Sequence, residues 1–223
     1  MPQSYFTPQV PSALVVLAFL GTGLFLVAAL LTAAVARALG RRRLARWLSL
    51  ASLAAGSAYL AALAAFSLSS RDRILRRGDR KYFCEIDCHL AYSIQEVSAS
   101  PLPGGTRYAV SLRTWFDPES IASLRGNGPL TPNPREVFVF DESGRRYGPS
   151  AAGMAALERE RGEPSTPLSR ELKPGESYTT TLAFDLPRGA RGLRLFLGDT
   201  PGPELFLIDH ENSFFHKKIY FAL

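Results

Sequence analysis

The chain has 223 residues, and 142 of them, Tyr82 to Leu223, follow its apolar and basic segments, enough for one domain with its own core and too few for two. The formal charge of +6 is concentrated beside the apolar runs: Arg37 to Arg46 carries +5, Arg71 to Lys81 carries +4, and Tyr82 to Leu223 is net −3. A chain whose later part is acidic has no basic stripe for nucleic acid, so its charge points to a lipid surface.

Residues 1–11 form a short tail in which Pro2, Pro8 and Pro11 bracket Tyr5 and Phe6, a non-helical lead with aromatics suited to a membrane interface. The tail has no lysine or arginine, so it lacks the basic start of a cleaved signal peptide, and the run behind it is read as retained. That run, residues 12–36, and a second one, residues 47–69, contain no charged residue. Each is long enough to cross a hydrocarbon core, which takes roughly 20 residues. The turn at residues 37–46 holds Arg37, Arg41, Arg42, Arg43 and Arg46. Together these predict a two-helix transmembrane hairpin with the basic turn in the head-group layer. Gly21, Gly23 and the Ala54–Ala58 stretch supply small residues through which the helices pack on each other or on another subunit.

The five-arginine turn after an uncharged tail predicts a cytoplasmic turn in a bacterial inner membrane, with the C-terminal domain extracytoplasmic. Arg71 to Lys81, which includes Arg76 and Arg77, pulls the other way. Cys84 and Cys88 favour the oxidising side. Residues 70–81 are read as a basic connector lying along the membrane; Arg41, Arg42, Arg43 and Arg46 of the turn, with Arg76 and Arg77 of the connector, are the expected membrane-interface cations.

From residue 82 to 223 the apolar residues come in short alternating bursts between Gly, Pro and Asn, which is strand texture. Strands are expected at His89–Ser98, Arg107–Phe116, Glu136–Asp141, Tyr178–Leu186, Gly192–Leu197, Glu204–Ile208 and Phe214–Ala222, and a short helix with Ser150 as its cap at Ser150–Arg161. Seven strands with frequent turn signals predict an all-β sandwich.

The run Val137-Phe-Val-Phe-Asp-Glu-Ser-Gly144 with Tyr147, then Leu172-Lys-Pro-Gly-Glu176, then Phe184-Asp-Leu-Pro187 resembles the immunoglobulin-like domains of bacterial cell-surface and lipoprotein chains, those of the DUF4352 type among them. The resemblance spans roughly Leu90 to Leu197. It implies an immunoglobulin-like β-sandwich and no catalytic residues.

One compact group could carry chemistry, Cys84-Glu-Ile-Asp-Cys88-His89. Two thiolates and an imidazole suit copper or zinc. In an extended strand the two cysteines would stand about 13 Å apart, too far to bond, whereas in a turn they could form a disulfide. A disulfide, two free thiols and a metal or redox site with His89 therefore remain open. Two membrane helices before a β-domain also resemble cytochrome oxidase subunit II, but Tyr92 stands where that family's copper loop has a histidine, and Met154 is the one methionine after the helices. Trp115, Met154 and His210 are candidate partner-surface residues, His210 in the polar turn Ile208-Asp-His-Glu-Asn212. No nucleophile triad or phosphate-binding glycine loop occurs, so the function expected is non-catalytic. The expected partners are the bilayer and an integral membrane or envelope protein, with no cofactor.

Overall fold

A computed structural model describes residues 3–7, 12–83, 88–121, 125–200 and 202–223. Alanine and leucine dominate both apolar runs and are strong helix formers. The runs accordingly form α1 (Ser12–Ala38) and α2 (Arg42–Ser69). α2 starts earlier than its apolar run because arginine also favours helix. Only Leu39 to Arg41 separate the two helices. Gly40 ends α1 in the left-handed conformation at φ +76°, with Arg41 N donating to Ala36 O at 2.8 Å and Gly40 N to Arg37 O at 3.1 Å. This double bond pattern satisfies carbonyls that a helix end would otherwise leave bare.

At 27 and 28 residues, the helices are each about 40 Å long at a rise of 1.5 Å per residue. Ala33, Ala36 and Ala45 are buried where they meet, with Leu48 packed against them. Only 11% of each apolar window is buried, and leucines such as Leu24, 73% exposed, point outward. A core helix of a soluble protein would show the reverse.

The strands are β1 (Ser4–Thr7), β2 (Arg73–Leu75), β3 (Arg80–Phe83), β4 (Leu90–Leu102), β5 (Gly105–Phe116), β6 (Arg135–Phe140) and β7 (Arg146–Tyr147). After the short helix α3 (Ala151–Arg161) come β8 (Ser177–Pro187), β9 (Arg194–Asp199) and β10 (Ile219–Ala222). They make two five-stranded sheets, in the orders β1-β3-β4-β5-β8 and β2-β10-β9-β6-β7. β1 runs parallel to β3 and β2 parallel to β10; the remaining pairs are antiparallel. One core lies between the sheets. Tyr92, Ile94, Val110, Leu112, Phe116 and Phe184 enter it from the first sheet, and Val139, Leu195, Leu197 and Phe221 from the second.

The open edge of β8 is covered. Ser150 N donates to Ala183 O at 2.8 Å, Met154 Sδ accepts from Ala183 N at 3.2 Å, and Ser165 Oγ bonds both N and O of Thr181. An edge so covered cannot pair with another chain. Ser150 also caps α3, accepting from Gly153 N at 3.0 Å, as its position before the helix predicts.

The chain falls into two compact units: Met1–Thr7, Asp72–Thr200 and Lys218–Leu223 form the β unit, and Pro8–Arg71 with Pro201–Lys217 the helical unit. Several expectations are corrected here. The supposed connector at residues 70–81 holds β2 and the start of β3, which join different sheets. The tail strand β1 pairs with β3, and Phe6 stacks on Tyr82 at 4.7 Å. The strand expected at Glu204–Ile208 is a 3-10 turn at Pro203–Phe206 followed by further turns. The one expected at Phe214–Ala222 is strand only from Ile219, because Phe215 sits at φ +64° and breaks the extended run.

Candidate functional site

Cys88 and His89 lead into β4, where the His89 ring packs 4.9 Å from that of Phe116 and His89 O accepts from Asp117 N at 2.8 Å. Cys84 lies outside the described residues, so its pairing with Cys88 and the Cys84–Cys88–His89 metal set do too. No free cysteine, and no group of three or more His, Cys, Asp or Glu able to hold a metal ion, occurs among the described residues.

The chemistry that sequence reasoning missed lies between the sheets. Lys81 on β3 is fully buried, and its Nζ donates to Leu197 O at 2.6 Å and Ile219 O at 3.3 Å, both on the opposite sheet. The rings of Phe83 and Phe196 each lie 5.1 Å from the ammonium. Arg135 enters from β6, its guanidinium 4.0 Å over Phe83 and ion-paired with Asp199. A buried cation is costly unless it is compensated; carbonyls and π-faces surround Lys81, and a carboxylate and a π-face meet Arg135. The arrangement ties the two sheets together. Its signal was period two: Lys81 is in phase with Phe83, and Arg135 with Val137 and Val139.

On the outer face of the first sheet Trp115 is half-buried, with the Arg80 guanidinium 4.3 Å above its ring; Phe116, the next residue, points into the core. At the other end of β5, α3 and β4–β5 border an open groove of about 530 Å³ lined by Ser98, Ser100, Arg107, Leu157 and Glu160. Arg107 Nε and Nη2 hold Asp185 at 2.6 and 2.9 Å, and Ser150 Oγ donates to the same carboxylate at 2.6 Å. The Arg107 hydrogen bond, with help from Ser150, holds the Asp185 carboxyl below the usual carboxylate range. Met154 is half-buried against β8, where its sulfur serves the edge strand.

Arg41, Arg42, Arg43 and Arg46 are exposed at the helical turn, and Arg76 and Arg77 are exposed in the β2–β3 turn. Asp79 closes that turn, accepting from Arg76 N at 2.8 Å and Gln3 N at 2.9 Å. His210 is 4% exposed, so the polar turn around it is not the exposed one expected; its Nδ1 accepts from Asn212 N at 3.1 Å. Trp115 and Met154 belong to the β unit and His210 to the helical unit.

No protein-family model matches the chain, and no curated protein does. Among solved structures it is similar to a conserved hypothetical protein from Bacillus anthracis, with 15% identity over 49% of this chain and 80% of that one, at a TM-score of 0.36. It is also similar to MPT63, a secreted protein from Mycobacterium tuberculosis, with 13% identity over 70% of this chain and all of that one, at a TM-score of 0.42. At these TM-scores neither likeness carries an inference. Two apolar helices and a β-rich region in two sheets define the chain as a membrane-associated β-domain protein.

Proposed function

We propose that the chain is a non-catalytic, membrane-anchored binding module. A helical hairpin in the inner membrane carries an immunoglobulin-like sandwich on the extracytoplasmic face, where it associates with an integral membrane or envelope protein. The observation that carries this reading is the outward apolar surface of α1 and α2, only 11% of each apolar window being buried. Water does not tolerate such a surface, whereas lipid requires it. The arginine turn supports a cytoplasmic loop, and a Cys84–Cys88 disulfide would suit the opposite side. The outer face around Trp115 and Arg80 is the surface offered to a partner, an aromatic–arginine pair of the kind enriched at interfaces.

Labelling intact cells with a membrane-impermeant maleimide, before and after reduction, tests the topology, with metal analysis of the purified protein alongside. Labelling only after reduction, with no metal, is the expected result. Thiols reachable only after lysis would reverse the topology. Stoichiometric copper or zinc protecting both thiols would replace the binding reading with a metal-handling one.

A further inference from the structure

We propose that the Pro201–Lys217 excursion is a lipid-dipping loop that places Phe206, Phe214 and Phe215 in the acyl boundary of the leaflet remote from the arginine turn. The inference rests on the reading of α1 and α2 as membrane spans. This segment leaves the β unit after β9 and belongs to the helical unit. Tyr59 Oη, on α2, donates to Phe206 O at 2.6 Å, and the Phe206 ring lies nearly parallel to that of Phe19 on α1, 6.5 Å away.

The loop has the polarity of the helices. His210, Glu211, Asn212 and Ser213 are buried, while Phe206, Phe214 and Phe215 are exposed, Phe215 to 77%. A loop in water shows the opposite arrangement. Its backbone also closes on itself: Leu207 N donates to Glu204 O, His210 N to Leu207 O, Ser213 N to His210 O and Phe214 N to Leu205 O. Groups so paired carry less desolvation cost when they leave bulk water for the interfacial layer. Phe215 is held at φ +64°, a conformation that a bulky residue rarely adopts, and no burial rewards it.

Depth agrees. Tyr59 is 13 residues beyond Arg46, about 20 Å along the helix at 1.5 Å per residue. In a core about 30 Å thick, that leaves it roughly 10 Å below the far surface. Interfacial apolar faces sink about 5–10 Å. His216, Lys217 and Lys218 come directly after the aromatics, placed for anionic head groups.

The test uses the full chain in phosphatidylcholine–phosphatidylglycerol vesicles with brominated acyl chains, which quench tryptophan on contact. Trp47 and Trp115 are replaced by phenylalanine, and single tryptophans are introduced by Phe215→Trp, Phe214→Trp and, in α2, Leu53→Trp. At least a twofold loss of fluorescence relative to unbrominated vesicles is expected for all three. Quenching of Leu53→Trp alone, with both loop tryptophans bright, would overturn the loop while leaving the spans. The same outcome with loop tryptophans shielded from aqueous acrylamide would assign the aromatics to a protein contact and equally overturn it. No quenching at any of the three positions would overturn the membrane reading itself.

Discussion

Where α1 and α2 meet, the buried positions are alanines such as Ala33, Ala36 and Ala45, and leucines such as Leu24 face out. In the β unit, Tyr92, Phe116, Phe184 and Leu197 are buried, and the neighbouring positions on the outer faces are Arg113, Ser177 and Thr179. Both regions obey one rule, that apolar surface avoids water, and they differ in the medium that replaces the water. In the β unit each large side chain must find protein. In the hairpin, on the proposed membrane reading, it meets lipid, and the helices approach through small residues. The contrast teaches that burial within the chain measures stability contributed only in the first case.

The sharpest way to break that contrast is a matched truncation. Phe184→Ala should destabilise the β unit by about 3–5 kcal/mol. Leu24→Ala should leave its thermal unfolding within about 0.5 kcal/mol, as surface changes do. β-sheet circular dichroism of the detergent-solubilised protein reads both, and equal effects would show that the two units are one cooperative body. A glycine pair comes next. A Cβ at Gly105 would stand 1.8 Å from Leu186 O, whereas one at Gly56 would meet only Leu26 side-chain carbons at 3.8 Å. Gly105→Ala should therefore cost about 3 kcal/mol by forcing the β5–β8 pairing apart. Gly56→Ala should be neutral to about 1 kcal/mol stabilising through helix propensity.

Lys81→Met sharpens the comparison from the polar side, because Lys81 is a cation that the β unit buries completely while the arginines of the turn are exposed. Loss of the donor to Leu197 O and Ile219 O should cost about 1–3 kcal/mol by denaturant titration. A neutral or stabilising result would show that packing alone can replace the ammonium. Arg46→Met, exposed at the turn, should change β-unit stability by under about 0.5 kcal/mol.

The smallest effect is that of pH. Hydrogen bonds from Arg107 to Asp185, and from Ser143 to Asp141, hold both carboxyls below their usual range. The stability they contribute is complete above the unfolded value near 3.9 and is lost as pH falls through the lower folded values. Burial raises Tyr178 to about 12, so its contribution is lost instead as pH rises from about 10 towards 12. Melting curves across this range should show both limbs in the β signal. The helical signal of α1 and α2, which contain no acidic residue, should show no acid limb.

The two helices were legible in the sequence because each run is long, uncharged and rich in alanine and leucine, with five arginines between them. The long strands β4, β5 and β8 were legible because alternation such as Val110, Leu112, Thr114 and Phe116 repeats often enough to show its period. β1, β2 and β3 were not, since three or four residues hold too little of a period and Lys81 looks like a surface cation. The stretch 202–217 misled for the opposite reason. Its Leu205, Phe206, Phe214 and Phe215 have the composition of strands, but its carbonyls and amides pair locally in 3-10 and turn geometry. Of the candidate site, the sequence showed that Trp115 and Phe116 must face opposite ways, and the structure put Trp115 outside under Arg80.

The sequence by itself determined the two apolar helices, the basic turn between them and the β character of the rest of the chain, because each depends on local pattern: charge-free length, arginine count and period-two alternation. Only the tertiary structure decided that the juxtamembrane segment contributes a strand to each sheet, that Lys81 and Arg135 are held between those sheets, and that residues 202–217 belong with the helices. These depend on partners far away in the chain, as β10 is for β2 and Tyr59 for Phe206, or in the opposite sheet, as Leu197 is for Lys81. A side chain's neighbours set its energy, and no local pattern names neighbours so distant.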